Sequence, residues 1–190
     1  GHVVQWNVAD GARIRDFDAT SLHATSRLQE VGGARALAVS RPAQQLLVAG
    51  TKPKNGGNVQ GEPTILVFDI ATAELKSTFT LGAAGDVYVT DLVELPDGDW
   101  LATVSGNPGT GKVVAFRLDE EQPVFETKKY PNAHSIAWHA GSRRIAVSAT
   151  NTGSNGNGRR LKDGEYLGNY SPVSLITLPE PVTETASQPS

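Results

Sequence analysis

Short apolar segments recur along the chain, separated by polar turns rich in Gly, Pro, Asn and Asp. Some of the segments alternate apolar and polar positions, and others are continuous apolar runs. Short continuous runs are typical of strands that are buried between two neighbouring sheets. The 20 Gly and 11 Pro among 190 residues also favour many short strands joined by turns. The pattern predicts an all-β chain.

The segments form an internal repeat that aligns without gaps. Each copy begins with a strand end, a tight turn and a strand start. In the middle copy Pro96-Asp97-Gly98 supplies a preset φ and then a residue that tolerates positive φ. A third strand follows a loop of variable length, and a polar turn leads to a fourth strand. The aligned turns are 39–46, 94–101 and 138–145, and the third strands are 65–70, 113–118 and 173–178, with 3–8 as that of an earlier copy.

Four antiparallel strands in each copy predict one β-propeller blade per copy, or about three and a half blades in an incomplete ring. A ring closes with roughly four to eight blades, so the remaining blades of a longer chain or a second copy would be needed to close it. Pro179 and Pro181 interrupt the fourth strand of the last blade. The predicted blades are 1–30 (partial), 31–81, 86–129 and 132–179, and the polar segment 180–190 is predicted to be a disordered tail.

The repeat resembles the WD-repeat β-propeller family. Phe68-Asp69 and Trp6-Asn7 stand where that family has its Trp-Asp pair on the third strand, and Pro96-Asp97-Gly98 matches its turn between the first and second strands. The copies are degenerate, because Phe116-Arg117 and Ile176-Thr177 lack the acidic residue and the Gly-His pair before the first strand is absent.

The resemblance covers roughly residues 1–178. The long Gly/Asn loops further resemble those of WD-repeat proteins from planctomycete-like bacteria. The resemblance implies a propeller that binds a protein or peptide without catalysis. It also implies that the sequence is the C-terminal part of a longer chain.

Composition narrows the function further. The 17 basic and 20 acidic residues are spread along the chain, so nothing favours nucleic-acid binding. No apolar stretch approaches the 18 or so residues of a membrane span. The absence of cysteine excludes disulfides and thiol chemistry but leaves the compartment open, with a soluble, cytoplasmic protein favoured.

Loop lengths distinguish the two faces of the predicted disc. The loops between second and third strands, 50–63, 105–112 and 150–172, all emerge on one face and are all enlarged. The opposite face carries tight turns. Long loops are often functional, so the enlarged loops predict a partner-binding surface, although Gly/Asn loops can also be plain flexible surface. The candidate binding residues are Lys54, Asn55, Asn58, Asn107, Lys112, Asn155, Asn157, Arg159, Arg160 and Tyr166.

The sequence contains no complete phosphate-binding or calcium-binding motif. The segment 106–112 ends in Gly-Lys, but it lacks the spacing, the hydroxyl residue and the strand-to-helix context of a phosphate loop. Asp163 and Glu165 supply too few carboxylates for a typical calcium loop. We therefore expect no cofactor and no metal site. An alternative function is a hydrolase-like propeller enzyme with Asp91 and His134 facing the central channel, and another is a purely structural half of a longer protein.

Overall fold

The computed structural model describes residues 1–26, 29–54, 60–82, 86–106, 109–120, 122–128, 130–150, 160–162, 165–167 and 171–178. These residues form antiparallel strands with two short 3-10 turns, at Thr20–Leu22 and Ala140–Ser142. The strands are β1 (His2–Trp6), β2 (Arg13–Asp18), β3 (His23–Ser26), β4 (Gln29–Ser40), β5 (Gln45–Pro53), β6 (Gly61–Asp69), β7 (Leu75–Thr80), β8 (Tyr88–Glu94), β9 (Trp100–Ser105), β10 (Lys112–Phe116), β11 (Phe125–Thr127), β12 (Ala133–His139), β13 (Arg144–Ala149), β14 (Arg160–Lys162), β15 (Glu165–Leu167) and β16 (Val173–Thr177).

The strands pair as the repeat predicts. Blade 1 contains β1 and β2, blade 2 contains β4 to β7, blade 3 contains β8 to β11, and blade 4 contains β12, β13 and β16. Within each blade, neighbouring strands pair antiparallel in chain order. The all-β class and the four-stranded blade are therefore confirmed. The predicted tail, 180–190, lies outside the described residues.

An equivalent β-bulge in β4, β8 and β12 shows that the three copies share their geometry. The pairing register of β4 shifts between Ala34 and Ala36, that of β8 between Val89 and Asp91, and that of β12 between Ala133 and Ser135. The extra residue in each case lies near the start of the first strand of a blade. It is Arg35 in β4, Thr90 in β8 and His134 in β12.

Apolar side chains fill the spaces between successive blades, because alternate residues of a strand point to opposite faces of its sheet. Trp100, with 1% of its surface exposed, belongs to the core between blades 2 and 3. Val113 and Ile145 belong to the core between blades 3 and 4, and Phe17 packs edge-on against Phe68 between blades 1 and 2, with ring centroids 5.7 Å apart. Two sheets that share a buried apolar face in this way stack as blades do.

Three features of the structure are not predicted by the sequence pattern. Trp6, which stands at the Trp-Asp position of the resembled family, is 56% exposed, and in the described part of the chain β1 has only β2 as a neighbour in its sheet. The hairpin of β3 with the start of β4 falls in a segment to which the repeat assigns no strand. A further hairpin, β14 with β15, lies within the loop 150–172.

Two adjacent glycines allow β4 to serve two hairpins. Residues before Gly33 pair with β3, and residues from Gly33 onward pair with β5. Gly32 and Gly33 have φ of 103° and 99°, a region that other residues rarely adopt. A Cβ on Gly32 would also lie 2.2 Å from the carbonyl oxygen of Leu22. The bend in β4 therefore requires glycine.

Candidate binding surfaces

The face that carries the loops 50–63, 105–112 and 150–172, called the loop face below, is enlarged by hairpins. The register of β5 and β6 runs from Gln45 opposite Asp69 to Pro53 opposite Gly61, whereas that of β9 and β10 already ends at Val104 opposite Lys112. The β5–β6 hairpin therefore extends further at this end than its counterpart in blade 3. The β3–β4 hairpin extends the same end of blade 2.

The predicted binding residues divide into four groups. Lys54 is exposed on the β5–β6 hairpin, with its Nζ 3.8 Å from Oε1 of Glu62. Arg160 and Tyr166 belong to the β14–β15 hairpin, whose backbone pairing places them in adjacent residue pairs. Six candidates lie outside the described residues: Asn55, Asn58, Asn107, Asn155, Asn157 and Arg159.

Lys112, the remaining candidate, lies in a buried ion pair. Its side chain is 8% exposed, and its Nζ lies 2.6 Å from Oε2 of Glu126 and 3.8 Å from Oδ2 of Asp86. The hydrogen bond from Lys112, followed by its charge and that of Lys128, lowers the pKa of Glu126 in spite of partial desolvation. A lysine held in this way links β10 to β11 and to the segment before β8, so we leave it out of the candidate surface.

Asn132 ties the loop face of blade 3 to that of blade 4. Its side-chain Oδ1 accepts a hydrogen bond of 2.9 Å from the backbone N–H of Gly109, and its own N–H donates to the carbonyl of Thr110. Thr150 N–H donates to the carbonyl of Asn132. Asn132 is buried and has φ of 56°, which asparagine tolerates better than most residues. These bonds fix the ends of two enlarged loops beside each other.

The alternative site at the first strands has a different geometry from the one that the sequence suggested. Asp91 and His134 are not equivalent residues, because His134 aligns with the bulge residue Thr90, and Asp91 aligns with Ser135. The carboxylate of Asp91 accepts hydrogen bonds from Leu92 N–H at 2.9 Å, Ser135 Oγ at 2.7 Å and Ile136 N–H at 3.0 Å. His134 is exposed, and its Nε2 lies 3.5 Å from Oγ1 of Thr150.

Nothing in the described part of the chain assembles a metal site. Within those residues there is no group of three or more His, Cys, Asp or Glu side chains that could hold an ion. Among the same residues, no helix is both long enough and apolar enough to cross a bilayer.

The opposite face, which carries the tight turns and is called the turn face below, contains a cleft of about 1000 Å³. Its walls come from the β4–β5, β8–β9 and β10–β11 turns and from the end of β12. The sequence pattern does not predict it, because a cleft between blades depends on how the sheets stack. The cleft is lined by Ser40, Pro42, Ala43, Gln45, Glu94, Leu95, Pro96, Asp97, Gly98, Asp99, Trp100, Arg117, Leu118, Asp119 and Trp138.

Comparison with solved structures identifies the architecture. Kuenenia stuttgartiensis hydrazine synthase is 13% identical, with a TM-score of 0.65 over 93% of this chain and 45% of that one. The Dos1 propeller is 12% identical, with a TM-score of 0.50 over 77% of this chain and 36% of that one. The fold is that of a β-propeller. Identities this low show the fold alone.

The chain spans less than half the length of either of these structures. No protein-family model and no curated protein matches the sequence. The sheet topology and the structural matches establish the propeller fold. The WD-repeat assignment stays a prediction.

Proposed function

We propose that the chain is a WD-repeat-like propeller that serves as a non-enzymatic binding platform and takes a protein or peptide on its loop face. The observation that carries this proposal is the β5–β6 hairpin, which continues to Pro53 opposite Gly61 and presents the exposed Lys54. Loops held on a rigid scaffold are the usual place for recognition. The hydrogen bonds of Asn132 support a fixed arrangement of the neighbouring loops.

The geometry around Asp91 favours a platform over the hydrolase-like alternative. A general base must have an oxygen available to a substrate proton. In this chain the Asp91 carboxylate accepts two backbone N–H groups and the Ser135 hydroxyl, and it thereby ties β8 to β12. These bonds support a structural role for Asp91.

Trimming two loops tests the proposal. In the first variant an Asn-Gly turn replaces residues 53–61, which keeps the pairing of Lys52 with Glu62 and forms a two-residue hairpin. In the second variant Gly-Asn-Gly replaces residues 152–170. The control variant Asp10→Asn changes only the β1–β2 turn, on the turn face and outside the cleft. Each is used to capture proteins from the source organism, and binding of the captured protein is then measured with purified components.

We expect the loop variants to lose at least tenfold in affinity for the captured protein and the control to bind like the parent chain. Equal binding by the parent and both loop variants would contradict the proposal. A thermal unfolding curve for each variant separates loss of contact from loss of folding.

A further inference from the structure

We infer that the cleft on the turn face is a second binding site, which takes a basic segment of an extended peptide with an arginine or lysine side chain inserted. The cleft lies on the opposite side of the blades from the loop face, so it is independent of the function proposed above. Its charge and its apolar walls both point to this class of ligand.

The charge of the cleft is strongly negative. Four carboxylates line it, from Glu94, Asp97, Asp99 and Asp119, against the single guanidinium of Arg117. Clefts lined by one sign of charge focus the potential and attract ligands of the opposite sign. The lining therefore favours a cationic ligand.

The one cation in the lining is already engaged. Arg117 places Nε 2.7 Å from Oδ1 of Asp99 and its NH1 2.8 Å from Oε1 of Glu120. These two carboxylates, through hydrogen bonds and charge, raise the pKa of Arg117 above its ordinary value. The arginine thus neutralises Asp99.

Three carboxylates remain for a ligand. Among the described residues, no lysine or arginine pairs with Glu94, Asp97 or Asp119. Glu94 is half-buried, and its Oε1 accepts the Ser40 hydroxyl at 2.5 Å. An arginine or lysine side chain has several N–H donors, so one such side chain can donate to more than one of these carboxylates.

The walls fit a side chain better than a bare ion. Pro42, Leu95, Pro96 and Leu118 present apolar surface, and the half-buried Trp138 is also part of the lining. Arginine and lysine place a charged head beyond an aliphatic stem, and their heads are attracted to the face of tryptophan. A volume of about 1000 Å³ is also far larger than an ion needs and is of the size that holds several residues of a peptide.

Fluorescence polarisation with synthetic peptides tests the inference. The probe is a labelled Gly-Arg-Ala-Arg-Gly peptide, and the comparison peptide has citrulline, the neutral isostere, in place of both arginines. The proteins are the parent chain and the triple variant Glu94→Gln, Asp97→Asn, Asp119→Asn. The matched control is Asp10→Asn, Asp16→Asn, Glu74→Gln, which removes the same net charge at residues outside the cleft and outside the loop face.

We expect the arginine peptide to bind the parent chain at least tenfold more tightly than the citrulline peptide. The cleft variant should lose at least tenfold in affinity, and the control less than twofold. Equal losses in the two triple variants would show attraction by net charge alone and would overturn the site. Failure of the arginine peptide to bind the parent chain would overturn it as well, and neither result would affect binding at the loop face.

Discussion

Asn7 and Asp69 perform the same task in two turns of the chain. Asn7 N–H donates to the carbonyl of Ala12, and Asp69 N–H donates to that of Glu74, five residues ahead in each case. The side-chain oxygen of Asn7 accepts from Ala9 N–H, and that of Asp69 accepts from Thr72 N–H. The motif that marked both residues in the sequence is thus a turn cap, a local role that short-range side-chain chemistry makes predictable.

Lys112 shows the opposite situation, in which the local sequence misleads. It follows the Gly-rich segment 105–111 and looks like an exposed loop residue, yet its Nζ is buried between Glu126 and Asp86. These partners come from β11 and from the segment before β8, so their approach depends on the packing of the whole blade. The sequence of a single segment therefore cannot predict this ion pair.

Replacing Lys112 with Met should show how much this ion pair contributes to the free energy of unfolding. Removal of one partner from a fully buried pair costs about 3–5 kcal/mol, and because Glu126 is partly exposed we expect a loss of about 2 kcal/mol in the free energy of unfolding at pH 7. The folded-state pKa of Glu126 is lowered, so its stabilisation is present above the ordinary glutamate range and is lost as pH falls through the lowered pKa. The difference between variant and parent should therefore shrink towards about pH 3.

Urea denaturation at the two pH values measures this difference. Lys76→Met is the matched control, because Lys76 pairs with Glu74 at the exposed surface and such pairs contribute only about 0–1 kcal/mol. A Lys112→Met variant as stable as the Lys76→Met variant, or one whose deficit does not change with pH, would show that the pair contributes little.

At the scale of the strand, the shared bulge explains how the blades are joined. The bulge in β8 brings Oγ1 of Thr90 within 3.1 Å of the carbonyl of Ala133, and the next residue, Asp91, reaches Ser135 and Ile136 of β12. The bulge residue of β4, Arg35, places its guanidinium carbon 4.3 Å from the ring centroid of Tyr88 in β8. The irregular residue is therefore where neighbouring first strands contact each other.

Most strands could be predicted from the sequence, and the bulges could not. Apolar runs such as 65–70 and 113–118 identify β6 and β10 because burial on both faces selects their composition. A bulge adds one residue without changing composition, so the alignment of first strands looked regular. Because the bulge recurs in each copy, the alignment stays gapless and pairs Asp91 with Ser135, one residue beyond His134.

Substitution of Asp91 tests the link between blades 3 and 4. Asp91→Ala leaves the Ile136 N–H without its acceptor, and an unsatisfied buried donor costs about 1–3 kcal/mol. We expect a fall of about 2 kcal/mol in the free energy of unfolding, with Asp91→Asn retaining part of the stability through its amide oxygen. Chemical denaturation measures the fall, and hydrogen exchange at Ile136 reports the bond itself. Slow exchange at Ile136 in Asp91→Ala would contradict the link.

At the scale of the whole molecule, the propeller depends on repeated burial between sheets. Val113 and Ala115 of blade 3 are covered by blade 4 and are 0% and 5% exposed. The equivalent residues of blade 4, Val173 and Leu175, are 68% and 67% exposed. The same positions therefore bury apolar surface in one blade and present it to solvent in the next.

The other end of the described stack has a related feature. Leu37 and Val39 of β4 are 55% and 53% exposed on the side that faces blade 1, whose strands in the described residues are β1 and β2. Exposed apolar faces of this kind mark surfaces that associate. The incomplete ring predicts further blades or a second copy at these ends, and the 190-residue chain offers a direct test.

Polar substitution of the free face of blade 4 should reduce self-association without unfolding the chain. In the double variant Val173→Thr, Leu175→Thr the exposed apolar surface shrinks, while surface substitutions usually change the free energy of unfolding by less than about 0.5 kcal/mol. Val113→Thr is the matched control, because it places a hydroxyl in the core between blades 3 and 4 and should destabilise the fold instead. Sedimentation velocity over a concentration series should show a parent chain that associates and a double variant that is more monomeric. Exposed surfaces of this kind associate from about the micromolar range upward. If the parent chain remains monomeric at about 100 μM, the free face of blade 4 does not drive self-association.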